Sequence, residues 1–197
     1  MADGHVSQRG ALDPHLKQRG RASFDFLTAR GRAAGTLAPK VQAEMTDRAL
    51  TPDSLPDDLD ARAAHVEGAL ADAKAWRTMQ LMGEFHARNH GPLAAEAFSE
   101  ILPDLQPTLD ALDRDGTTTL ETPEGFTPPA YHVGVDYHRT TGGWDAFRYA
   151  GYVHGELIHK LMVEKLYPGG IFRQRRAVAA LAPRRDYAEI LDMGCST

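Results

Sequence analysis

Near its end the chain runs Tyr187-Ala188-Glu189-Ile190-Leu191, a short apolar strand signal, straight into the small-residue turn Asp192-Met193-Gly194-Cys195-Ser196-Thr197. In nucleotide-binding α/β folds such a strand delivers the backbone to the carboxyl edge of a parallel sheet. A tight turn there lets the chain touch a ligand before a helix begins. Gly194 has no Cβ, so a ligand can lie against its backbone, and Asp192 at the strand end can accept hydrogen bonds. Upstream, His132, Asp136 and His138 have even spacings, and an extended stretch projects all three to one side. An Asp–His pair in that position suits a general base that takes a proton from an acceptor. The competing reading is a loop whose polar groups cap neighbouring elements. His86 and His90, four apart, share a helix face and invite comparison with a metal site. No His-Glu-x-x-His pattern or third ligand accompanies them, so no metal is expected; favourable charge near a helix C-terminus explains them. His154, Glu156 and His159 fall on a later helix, with His154 beside its apolar stripe as a hydrogen-bonded core residue.

The run Ile190–Thr197 resembles the first motif of class I S-adenosylmethionine-dependent methyltransferases, roughly hydrophobic-hydrophobic-Asp-x-Gly-Cys-Gly-x-Gly. Asp192, Gly194 and Cys195 stand on matching positions, and Ser196 replaces the usual second glycine. The third glycine would follow Thr197. A nicotinamide fingerprint fits less well, because it places Gly-x-Gly-x-x-Gly directly behind the strand. The resemblance implies S-adenosylmethionine as cofactor, with Asp192, Gly194, Cys195 and Ser196 in the loop beneath its methionine part. It also implies that residues just ahead of the motif, Tyr149 and Tyr152 among them, cover the cofactor. The Arg-rich helix Phe172–Leu181, closed by Pro183, is similar to the helix that precedes the first strand in this family. Val135-Asp136-Tyr137-His138 and Gly142-Gly143-Trp144 resemble a segment ahead of the catalytic domain in some bacterial methyltransferases. The expected protein is thus the front of a larger enzyme, cut where its cofactor site opens and inactive alone. A non-catalytic helical interaction module is the alternative.

Composition narrows the classes. Hydrophobic residues make up 42% and charged residues 25% of the 197, ordinary values for a globular chain. A formal net charge of −5 argues against a general nucleic-acid binder. The single cysteine, Cys195, excludes an internal disulfide and a multi-thiolate zinc site, and packing is its expected role. No apolar run is long enough to span a bilayer, and Met1–Gly10 lacks the apolar centre of a secretion signal. A cytoplasmic enzyme acting on a methyl acceptor of undetermined identity is expected, with any homodimer forming through the helical region.

The elements that must position these residues are helices. The expected fold is mainly α, a helical N-terminal region leading into the first strand of a Rossmann-like methyltransferase domain that is mostly absent. Residues 1–20 read as a flexible N-terminus, 21–113 as a helical region, 114–143 as a turn-rich connector, and 144–197 as helices and first strand. Within the helical region, Ser23–Ala34 and Val41–Leu50 read as separate helices divided by Gly35 and Pro39. Asp57 or Asp58 starts the next, whose stripe Leu59, Ala63, Val66, Leu70, Ala73, Leu81, Phe85 runs to Arg88. Gly91-Pro92 divides it from a further helix with the stripe Leu93, Ala97, Ile101, Leu105, Leu109 and Leu112, running to Asp113, which Pro103 and Pro107 should kink or split. A last long helix, Trp144–Tyr167, carries the apolar positions Phe147, Ala150, Val153, Leu157, Ile158, Leu161 and Met162 and stops at Pro168-Gly169-Gly170.

Overall fold

A computed structural model describes residues 14–115, 119, 121, 124–127, 129–130 and 147–191. Every regular element among them is helical. Helix α1 spans Gln18–Asp47, α2 Leu59–Ala69 and α3 Lys74–Asp115. Helix α4 is continuous but changes register: α-helical at Ala150–Tyr152, π-helical at Val153–Val163, α-helical again at Glu164–Leu166. Helix α5 spans Ile171–Ala180.

The chain is committed to structure earlier than expected. Leu16 is buried, and Gly20 lies so close to α3 that an added Cβ would sit 2.9 Å from the Ala97 Cβ. Helix α1 thus already begins at Gln18, inside the stretch read as the N-terminus. Two expected divisions are also absent. Pro39 lies inside α1, and Pro92, Pro103 and Pro107 all lie inside α3. All four prolines are exposed. Spacings of 11 and then 4 residues keep the three on α3 within about 60° of one another around the helix axis. Each proline removes one i→i−4 bond and crowds one carbonyl. On the solvent side that carbonyl can tilt outward and be hydrated, so each helix runs on through its prolines.

The real division falls elsewhere. A turn at Leu70–Ala73 separates α2 from α3, and it breaks the expected stripe: Leu59 and Leu81 are 74% and 73% exposed. Leu70 and Ala73 instead bury with Leu50 in a small cluster, against Met45, Val66 and Trp76. Capping fixes both ends of this corner. The Asp58 side chain accepts from the Ala61 N–H at 2.8 Å, an N-cap for α2. Glu44, on α1, accepts from the Ala75 and Trp76 N–H groups through its two carboxylate oxygens, each at 2.9 Å. Those amides are donors that the start of α3 cannot satisfy internally. The Ala75 amide, helped by Trp76 and Arg48, holds the Glu44 carboxyl below its usual range against its partial desolvation.

At the close of α1 the Leu50 N–H donates to the Met45 carbonyl and the Ala49 N–H to the Thr46 carbonyl, at 3.0 Å each. This is a Schellman ending, with Ala49 at φ 54° and Leu50 packed on Met45.

The main core joins α1, α3 and α4. Phe24 and Leu27 of α1 meet Ala94, Ala97, Phe98 and Ile101 of α3 and Val153, Leu157, Ile158 and Met162 of α4. Most of both later stripes faces this core, but Leu112 is 45% exposed and Ala150 is not part of it; α4 begins at Ala150 and α3 runs on to Asp115. Phe98, Leu27 and Leu157 are at most 1% exposed, and burial of each side chain is worth roughly 1.5–3 kcal/mol. Gly169 and Gly170, at φ +75° and +82°, stop α4 where a side chain would be strained. Tyr187–Leu191 form no strand: these residues have no regular structure, since no described strand lies beside them to complete a ladder.

Candidate functional site

Of the expected acid–base residues, His132, Asp136 and His138 lie outside the described residues. So do Asp192, Gly194, Cys195 and Ser196 of the cofactor loop. The chain leading into that loop is described, and its two aliphatic residues are turned out to solvent, Ile190 and Leu191 at 84% exposure each. Arg184 lies over the Tyr187 ring at 4.8 Å from its centroid, the one anchored ring of this segment among the described residues.

The two tyrosines assigned to covering a cofactor lie at the entry to α4. Both are half-buried and packed around Phe98, with ring centroids 5.1 Å (Tyr149) and 5.4 Å (Tyr152) away. Phe147 adds an edge-on contact with Phe98 at 6.0 Å. The Tyr149 hydroxyl donates to Gln106 Oε1 at 2.8 Å, and Arg148 pairs with Asp113 at 2.8 Å. Three aromatic rings and two polar ties thus pin the start of α4 to the second half of α3. Tyr149, in the turn that caps α4, and Tyr152, in its first turn, form a wall against Phe98.

Beyond this wall α4 adopts i→i+5 hydrogen bonding for eleven residues, a form that ordinarily occurs as a single turn and often at functional sites. In an α-helix, residues five apart point about 140° away from one another. Here the register brings His154 and His159 together, with ring centroids 4.3 Å apart. Glu156 is buried and faces Lys160, Oε2 to Nζ at 3.6 Å. The sequence placed both histidines on one helix. Their spacing of five sets them apart on an α-helix, so nothing in the sequence signalled the pairing.

His86 and His90 stack at 4.5 Å with 18° between ring planes, and the His90 Nδ1–H donates to the His86 carbonyl at 2.8 Å. Burial, with smaller contributions from His90 and Arg30, pushes the His86 imidazole down to about 4. It is therefore neutral at pH 7, contrary to the expectation of a positive charge serving a helix end; α3 in fact continues 25 residues further, from His90 to Asp115. No group of three or more metal-ligating side chains occurs among the described residues. None of the described helices is long and apolar enough to cross a membrane. No family model, curated protein or solved structure matches the chain.

Proposed function

We propose that the chain forms the helical N-terminal region of a class I S-adenosylmethionine-dependent methyltransferase. In this reading Tyr187–Leu191 enter its sheet as the first strand, and Asp192, Gly194, Cys195 and Ser196 turn beneath the cofactor's methionine part. The observation that carries the reading is the exposure of Ile190 and Leu191, at 84% each. Strands of a parallel sheet are buried on both faces, so adjacent aliphatic residues belong to a strand awaiting neighbours. The alternative, a helical interaction module, draws on the closed core of α1, α3 and α4. It requires Ile190 and Leu191 to pack against those helices, which they do not.

S-adenosylmethionine supplies an electrophilic methyl group when bound. The chain's contribution is alignment of the acceptor and exclusion of water. A helical body pinned by Tyr149, Tyr152 and Phe98 is suited to being a rigid cover of that kind. His132, Asp136 and His138 remain the acid–base candidates.

Calorimetry with S-adenosylmethionine tests the reading on two proteins: residues 1–197, and the gene product extended through the next strand and the acidic residue at its end. Micromolar binding is expected for the extended protein and none for residues 1–197. Micromolar binding by residues 1–197, or no binding by the extended protein, overturns it.

A further inference from the structure

A cleft of about 280 Å³ opens between the start of α1 and the end of α4, and its chemistry is divided by depth. Its floor is apolar: Leu16 and Phe24 are 7% and 2% exposed, and Leu161 is half-buried beside them. Its rim is charged and exposed, with Arg21 and Asp25 on α1 and Lys165 on α4. No ion pair among the described residues uses any of these three. Four ion pairs tie other arginines of the body to carboxylates: Arg19 to Glu96, Arg48 to Asp72, Arg88 to Glu84 and Arg148 to Asp113. Two cations against one carboxylate also give the rim a net positive charge, on a chain whose total is −5.

From this arrangement we propose that the cleft binds a monocarboxylate with a short apolar tail. The carboxylate lies between Arg21 and Lys165, and the tail rests on Leu16, Phe24 and Leu161. A guanidinium offers two parallel donors to a carboxylate, and an ammonium adds a point charge beside them. A single negative charge balances the rim. A dianionic phosphate would place a second charge against Asp25. The cleft, at about 280 Å³, falls just below the roughly 300 Å³ at which drug-sized ligand clefts begin, which suits a small ligand. The rim straddles two helices that meet only through the core, so an occupied cleft would also tie the start of α1 to the end of α4. The inference stands apart from the methyltransferase reading and uses none of its residues.

Calorimetric titration of residues 1–197 with octanoate, octyl phosphate and octanol is the test. Saturable octanoate binding is expected, tighter than either analogue. Arg21→Ala and Lys165→Ala should each weaken it by about tenfold, the usual effect of losing one charge-assisted hydrogen bond. Arg19→Ala, outside the cleft, should leave it unchanged. All three side chains are exposed, so circular dichroism should report unaltered helix content. Amide shifts in a ¹H–¹⁵N spectrum should cluster at Arg21, Asp25, Leu161 and Lys165. Absence of saturable binding, equal binding of octanol, or binding indifferent to both cleft substitutions overturns the proposal. Preference for octyl phosphate would overturn the monocarboxylate assignment.

Discussion

His86 shows how a residue type can promise one chemistry and its surroundings impose another. Two histidines four apart suggest a ligand pair or a charge at a helix end, but half-burial beside His90 and Arg30 makes the protonated His86 costly. The unfolded chain takes up this proton below its ordinary value of 6.5, while the folded chain resists it until about 4. The contribution of neutral His86 to stability is therefore complete above pH 6.5 and is lost as the pH falls towards 4. Urea denaturation between pH 7 and pH 5 should show a shallower decline in stability for His86→Phe than for the parent chain. The ring protons of His86 should titrate near 4; a midpoint near 6.5 would refute the argument. Glu44 illustrates the opposite case, a carboxyl whose charged form is favoured because it caps α3 from another helix.

At the scale of the element, the helix ends follow rules that single residues can test. Ala49 holds φ 54° at the close of α1, in a position where the absence of a Cβ is an advantage. Ala49→Gly removes that strain but adds freedom to the unfolded chain. Because the strain is the larger of the two, a gain of about 0.5–1 kcal/mol is expected. Thermal denaturation checks this, and a lowered melting temperature would contradict it. Sequence rules also mislead at this scale. Pro39 and Pro92 read as divisions and Pro103 and Pro107 as kinks or splits, yet all four are carried within continuous helices. What separates these from helix-ending prolines is the side of the helix they occupy, which depends on where the core lies.

For the whole molecule, the decisive contact is the close approach of α1 to α3. Gly20 and Ala97 bring the two backbones together where a larger residue on either helix would hold them apart. Gly20→Val should cost about 1–3 kcal/mol through overpacking, read as a lower urea midpoint with unchanged helix content. The same approach sets one wall of the cleft at Arg21 and Asp25, so octanoate affinity should fall with it.

The sequence by itself determined that the chain is helical and which face of each later helix is apolar. Leu93, Ala97 and Ile101, then Val153, Leu157, Ile158 and Met162, turn to the core at the spacing that periodicity requires. It also marked Asp57 or Asp58 as a helix start, of which Asp58 is the cap, and Pro168-Gly169-Gly170 as a stop, since capping and left-handed backbone are local chemistry. Only the tertiary structure decided the rest. Glu44 reaches amides 31 residues away, and the cleft draws its charges from residues 21 and 165. The π register that pairs His154 with His159 extends beyond the local α period. Periodicity reports which residues share a face of one helix. It carries no information about which helix that face will meet, because that is settled by packing among segments far apart in the chain.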